Sequence, residues 1–466
     1  MRNTSAGGPA DNSPAAGPAE DPTGRPAGIR SILLGSSIGT MLEYYDFFVY
    51  VALTATLSAL FFPAGNPVAA TLLGAATFGV SYLARPVGTL IFSPMADRIG
   101  RKKTFVATLA VMGAATTAIG LLPTYATIGV AAPVLLVVLR IVQGIGLGGE
   151  YSAAVVYVVE QAPAARRGRY TSVLQGTASV GLLVALLLVL VLRLALGDEA
   201  FASWGWRVPF LVSAAVVAVA TVVRLRMRET PVFDEMRRSG TLSKSPVAET
   251  FTTRSSWKSL LLATFGAQGG TSVTLYTSII YMLYFLGDVL KVPASTANLV
   301  LGAGILVGAP CYPLFGALSD RIGRARVMLI GIVAWMVVVY PVFAGIRAAA
   351  TGESWVVVAA LIAVLAVLTA MVMAPLPAFI SECFPPRIRT TGFGAAQQLG
   401  NILFGGFLPL ISLSLVAATG NQLAGVGYSI ASLLPCVLVT WLWALRRESR
   451  MRTAAAQPDP ARAVGV

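Results

Sequence analysis

Two copies of one short signature stand 223 positions apart (320 − 97 = 223): Asp97-Arg98-Ile99-Gly100-Arg101-Lys102-Lys103 and Asp320-Arg321-Ile322-Gly323-Arg324-Ala325-Arg326. Each lies between strongly apolar stretches, so an acid, a turn glycine and a basic cluster mark the same point in two halves of the chain. That pattern restricts the chain to a duplicated bundle of membrane-crossing helices. The repeat continues, because Glu160 and Pro163 find counterparts in Glu382 and Pro385, 222 positions on (382 − 160 = 222).

Composition agrees with a membrane solvent. Hydrophobic residues make up 56% and charged residues 12% of the chain, and the mean hydropathy is +0.77, far above a soluble domain. Twelve segments reach the ~20 residues that cross a ~30 Å hydrocarbon core as helix. They are about 30–60, 69–94, 104–123, 133–158, 170–195, 207–226, 259–287, 296–318, 327–347, 355–380, 391–417 and 423–445. Barrel strands are ~10 residues long and alternate strictly, which long apolar runs such as Val180 to Leu196 exclude. The fold class is an all-α integral membrane protein of two pseudo-symmetric six-helix bundles.

The bundles are expected at 29–226 and 258–446, joined by a polar, basic linker at 227–257. Residues 1–28 and 447–466 read as cytoplasmic tails, the first disordered and unlike a signal peptide. A net charge of +14 is no nucleic-acid signal here. About 28 of the 34 Lys and Arg fall on one side, which places both termini in the cytoplasm. Arg85 and Arg140 are the two basic residues expected within spans. Cys311, Cys383 and Cys436 have no metal spacing and read as packing residues; no cofactor is expected.

Repeats of this kind place a substrate site between the halves near mid-membrane, so polar residues at that depth carry the functional argument. Glu43 and Asp46 share one face of the first span, ~20–24 Å from its cytoplasmic end at ~1.5 Å per residue. Arg140 in the fourth span is a candidate partner, Arg85 in the second another, and Glu150 adds a further acid. With no histidine in the chain, a proton carrier near neutral pH has to be a buried carboxylate. The mechanism this suggests is displacement: a substrate carboxylate takes the Arg140 guanidinium bidentately, and Asp46, losing its counter-ion, protonates. Tyr45, Gln143, Gln268, Tyr276, Gln397, Gln398 and Asn401 are further candidates for orienting a hydroxylated or aromatic substrate. The glycines Gly144, Gly146, Gly148 and Gly149 read as helix-packing positions.

These residues resemble the major facilitator superfamily and, within it, the metabolite:proton symporter family, over nearly all of residues 30–448. The motifs are Glu43-Tyr44-Tyr45-Asp46-Phe47, Arg85-Pro86-Val87-Gly88, the first signature, Arg140-Ile141-Val142-Gln143-Gly144 with Gly148-Gly149-Glu150, Trp204-Gly205-Trp206-Arg207-Val208-Pro209-Phe210 and Glu229-Thr230-Pro231-Val232-Phe233. The resemblance implies twelve helices, alternating access and uptake of a small organic acid or zwitterion with a proton. Asp46 matches the acid and Arg140 the arginine used for coupling. Asp97, Arg98, Gly100, Arg101 and Glu160 match a cytoplasmic latch, with Asp320, Arg321, Gly323, Arg324 and Glu382 as its second-half equivalents. The chain departs from the family at Ser93, Pro94 and Ala96, and at Tyr151-Ser152-Ala153, where glycines or Trp-Gly-Gly are usual.

Ala76-Thr77-Phe78-Gly79-Val80 and Ile119-Gly120-Leu121-Leu122-Pro123 are similar to the shikimate and organic-acid branch. The short C-terminal tail without heptads argues against the osmolyte-sensing branch. The leading expectation is therefore a monomeric, proton-coupled importer of a small organic anion (shikimate, an aromatic acid, a di- or tricarboxylate) in a bacterial inner membrane, contacting lipid and no nucleic acid. Proline or betaine symport, metabolite efflux and a transporter-like sensor are the alternatives. An enzyme is not expected, because no nucleophile with a base and no metal cluster appears.

Overall fold

The computed structural model describes residues 29–62 and 67–444; some side chains of the first two helices, Glu43 among them, lie outside the description, as do both expected tails. Apolar runs of this length form helices because a lipid solvent leaves the backbone no other hydrogen-bond partners. The first half contains α1 (Ile29–Phe61), α2 (Pro67–Ile99), α3 (Arg101–Leu121), α4 (Ala131–Gln161), α5 (Arg167–Ala200) and α6 (Arg207–Arg226). The second contains α7 (Arg254–Val289), α8 (Ser295–Ile322), α9 (Arg324–Thr351), α10 (Trp355–Cys383), α11 (Pro386–Thr419) and α12 (Ala424–Leu442). Those from α3 to α12 are long and apolar enough to cross a membrane, and α1 and α2 have 33 residues each. Most run a turn or so beyond the expected spans at the signature end, where polar helix ends project past the apolar core. Two short helices, Pro231–Arg238 and Pro246–Thr252, lie in the linker.

The signature turns are built by Gly100 and Gly323, whose φ values of 115° and 113° suit glycine alone. At the opposite end the tryptophan-rich motif serves packing. Trp206 is buried against Phe61 and Phe210. Arg207 lies over the Trp206 ring and donates to the carbonyls of Gly120 and Leu122, at 2.9 and 2.6 Å, which satisfies the free end of α3.

Helix packing sets the positions of the functional side chains. A Cβ on Gly144 would sit 2.1 Å from the Ser81 carbonyl oxygen, and one on Gly148 2.0 Å from that of Arg85. Glycine at both positions lets α4 lie directly on the α2 backbone and fixes the rotation of the helix that carries Arg85. Between the halves, α2 meets α11 and α5 meets α8.

The apolar core shows how the halves are disposed. At the signature end one cluster is shared by both, with Phe105, Val158 and Leu174 packed among Ala263, Ile380 and Phe393. Towards the other end each half keeps largely its own core. The two bundles are therefore drawn together at the signature end.

Candidate transport site

A cavity of about 130 Å³ lies between the halves. Arg85, Gln268, Tyr276, Gln397 and Asn401 line it, together with Tyr44, Tyr82, Tyr151, Gln175, Ser179, Thr271 and Tyr312. Arg85 lies 14 residues before the end of α2 and Gln268 14 residues into α7. At ~1.5 Å per residue both stand ~21 Å from the signature end, facing each other across the gap. The Arg85 guanidinium lies over the Tyr82 ring, 5.0 Å from its centroid. The Tyr82 hydroxyl contacts that of Tyr276, joining α2 to α7 across the halves.

In α7 two wide π-helical turns, Thr264–Gln268 and Tyr276–Tyr281, end or begin at cavity residues, a local device that re-aims side chains at functional sites. Gln268 donates to Ser272 Oγ at 3.2 Å and to Asn401 Oδ1 at 3.0 Å. At the signature side Tyr151 bonds Gln175 and packs against Phe393.

Arg140, Tyr45, Gln143 and Gln398 are not among the lining residues. Tyr45 donates its hydroxyl to the Pro209 carbonyl, tying α1 to α6 at 2.8 Å. Arg140 is 2% exposed, stacked 3.8 Å from the Tyr50 centroid and bonded to Gln143 Oε1 at 2.5 Å. In this arrangement the Arg140 guanidinium lies outside the cavity wall, so the displacement mechanism would require it to become exposed. Asp46, fully buried, accepts from Thr116 Oγ1 at 3.0 Å and from Ser213. Gln143 Nε2 donates to Thr116 Oγ1 at 2.7 Å. Asp46 and Arg140 are thus linked through Thr116 and Gln143 instead of pairing directly.

Ten residues along α4, Glu150 is paired with Arg224 at 2.7 Å, both fully buried. Arg224 is a third basic residue inside a span. Its place two residues from the end of α6 made it look like part of the basic boundary.

The signatures form two reciprocal latches. Asp97, at the end of α2, accepts from the Thr390 and Thr391 amides at 3.2 and 2.8 Å and from the Thr391 hydroxyl at 2.8 Å. Asp320, at the end of α8, accepts from the Gly168 and Arg169 amides at 2.8 Å each. Each acid thus caps the first turn of a helix in the other half, where the dipole and unpaired amides favour a carboxylate. Arg101 pairs with Glu160 at 3.0 Å and lies 3.6 Å from Asp97, and Arg324 pairs with Asp320 and Glu382 at 3.3 and 3.1 Å. Arg98 and Arg321 are exposed at this face.

Sequence reasoning missed Arg389, which reaches Glu160 at 3.3 Å. Its repeat counterpart is Arg167, since Arg389 Nε bonds the Ser381 carbonyl as Arg167 Nε bonds that of Val159. The linker motif also joins the first latch. Glu229 accepts from the Arg101 and Lys102 amides at 3.1 Å each, and Thr230 donates to Glu160 at 2.6 Å. Burial holds the Glu229 carboxyl above its ordinary range, against the pull of those amides and the Arg101 charge.

The sequence matches the sugar (and other) transporter family over residues 32–445. The chain belongs to that family, within the major facilitator superfamily. This transporter is 35% identical over 433 residues to the inner membrane metabolite transport protein YhjE of Escherichia coli, covering 90% of this chain and 94% of the relative. It is 34% identical to the shikimate transporter of E. coli (91% and 95% covered) and 33% identical to the citrate-proton symporter of Salmonella typhi (85% and 89% covered). Its fold matches the proton:xylose symporter XylE bound to 6-bromo-6-deoxy-D-glucose at a TM-score of 0.68 and 18% identity, covering 89% of this chain and 95% of that one. The transporter is a multi-pass membrane protein and no enzyme. Among its described residues no group of His, Cys, Asp or Glu is placed to hold a metal.

The two family departures meet in space. Ser93 Oγ lies 3.1 Å from Ser152 Oγ, and a Cβ on Gly394 of α11 would fall 2.7 Å from Ser93 Oγ. The serines trade backbone closeness between α2 and α4 for a hydrogen bond beside the inter-half contact.

Proposed function

We propose that the protein is a proton-coupled importer of a small organic anion, working by alternating access with the signature end in the cytoplasm. The observation that carries this reading is Arg85, a cation at mid-depth in a cavity whose other described lining residues are phenols, amides, hydroxyls and apolar side chains. A carboxylate there gains a charge-assisted, bidentate partner in a site of low dielectric.

Asp46 carries the proton. It is linked to Arg140 through Thr116 and Gln143, and its protonation leaves that half more positive. An anion at Arg85 restores the balance, so proton binding and anion binding favour each other. Neither ligand needs to touch the other's residue, which suits a coupling acid buried inside one bundle. The shikimate and citrate relatives support an acid as cargo. The reciprocal latches support a form closed at the cytoplasmic end and receptive from outside.

The test is uptake into proteoliposomes with an inward proton gradient, using radiolabelled shikimate, citrate, proline and glycine betaine. Gradient-driven accumulation of an acid, abolished by a protonophore and by Arg85→Gln, is expected. Accumulation of betaine or proline with no acid, or export driven by the gradient, would overturn the reading.

A further inference from the structure

The wall of the cavity opposite Arg85 contains two buried polar atoms without partners among the described residues: Gln268 Oε1 and Thr271 Oγ1. Their side chains are 4% and 2% exposed, and both line the cavity. Unmet polar atoms at such burial cost about 1–3 kcal/mol each and persist where a ligand completes them.

Gln268 is turned with its Nε2 towards Asn401 and Ser272. Asn401 Oδ1 accepts from Ser272 Oγ at 2.8 Å and from Gln268 Nε2 at 3.0 Å. The amide N–H groups of Gln268 are thereby engaged, leaving Oε1 as a pure acceptor. Thr271 differs from Thr274, one turn on. Thr274 bonds back to the Gly270 carbonyl at 3.0 Å, as buried threonines in helices commonly do, and the Thr271 hydroxyl makes no such bond.

We infer that Gln268 and Thr271 form a hydroxyl-recognition subsite, and that the cargo is a small monocarboxylic acid bearing hydroxyl groups at the end remote from its carboxylate. This rests on the anion reading of Arg85. A carboxylate end suits Arg85 and cannot serve Gln268 Oε1, since both would be acceptors. The far end of the molecule must therefore carry a donor, and a hydroxyl satisfies Gln268 as donor and Thr271 as either partner. Quaternary ammonium methyl groups bring no strong donor. A tricarboxylate brings three negative charges to a wall whose charge, among the described lining residues, is that of Arg85, and each unpaired charge is expensive at this depth.

The test is competition binding to purified protein in lipid nanodiscs with four probes: shikimate, cyclohex-1-enecarboxylate (the same ring acid without hydroxyls), citrate and glycine betaine. Wild-type protein should prefer shikimate to the deoxy acid by at least about tenfold, because a site built for a hydroxyl rejects the analogue lacking it. In Thr271→Val and Gln268→Met that preference should fall to about twofold, shikimate losing more affinity than the deoxy acid. Equal binding of the two ring acids by wild type, or tighter binding of citrate or betaine, would overturn the subsite; the wild-type comparison is independent of any variant's folding. Failure of both ring acids to bind at all would instead remove the anion reading beneath it.

Discussion

Asp97 and Thr391 lie on helices of opposite halves, and the Asp97 carboxylate takes both the backbone amide and the hydroxyl of Thr391 at 2.8 Å each. Asp97 is fully buried, whereas its counterpart Asp320 retains slight exposure and accepts from the other half through two amides and no hydroxyl. The first latch is the stronger of the two.

Neutralising the two acids should therefore have unequal effects. Asp97→Asn should weaken the closed signature end by about 2 kcal/mol, the scale of a charge-assisted hydrogen bond, and Asp320→Asn by less. Spin-label distances between α2 and α11 would report the shift as a widened population in Asp97→Asn. Equal widening in both variants would contradict the asymmetry.

Removing Glu160 takes a charge partner from two cations. Arg101 and Arg389 both pair with it, and its side chain is fully buried. Breaking a buried pair from one side costs about 3–5 kcal/mol, so Glu160→Ala should lower the midpoint of thermal unfolding by several degrees. Glu160→Gln, which keeps the bond from Thr230, should lose less. A fluorescence melt in detergent, with both variants beside wild type, would decide.

Asp46→Asn should abolish uphill uptake while exchange of preloaded substrate continues, because the proposed proton carrier does not line the cavity. Unchanged accumulation in this variant would end its coupling role.

The two mid-depth arginines should separate by assay. Arg85→Lys should weaken acid binding by about tenfold or more, since a point charge replaces a planar fork. Arg140→Lys should leave equilibrium binding near wild type and impair accumulation, since Arg140 touches Gln143 and Tyr50 instead of cargo. Scintillation proximity binding beside uptake measures both.

Gly148→Ala should reduce substrate affinity without touching the cavity. The added methyl would meet the Arg85 carbonyl at 2.0 Å, so α2 must move and carry Arg85 with it. A binding isotherm matching wild type would show that the helix pair has slack.

Much of the fold was legible in the sequence, because hydropathy and the repeated signature act over long stretches and do not depend on tertiary detail. The latch residues were legible for the same reason, apart from Arg98 and Arg321. The cavity was less so. Arg85 and Arg140 both read as cations at mid-depth, and which of them meets the cavity depends on the rotation of α2 and α4, set by Gly144 and Gly148 against the Ser81 and Arg85 carbonyls. Tyr44, Tyr82 and Tyr151 were missed as lining residues because which tyrosine of a span meets the cavity depends on helix rotation: Tyr44 lines it and the expected Tyr45 does not. Thr271 was missed because its sequence context gives no hint that it forgoes the usual bond to its own helix. Arg224 was hidden by its place at a basic helix end.

Because each signature acid holds a helix belonging to the other bundle, neither half contains a complete closure of its own. Two polypeptides, one ending and one beginning within 239–245 between the short linker helices, would each expose half of two unfinished joints. Their easiest resolution is each other, so halves made as separate chains should pair through both joints.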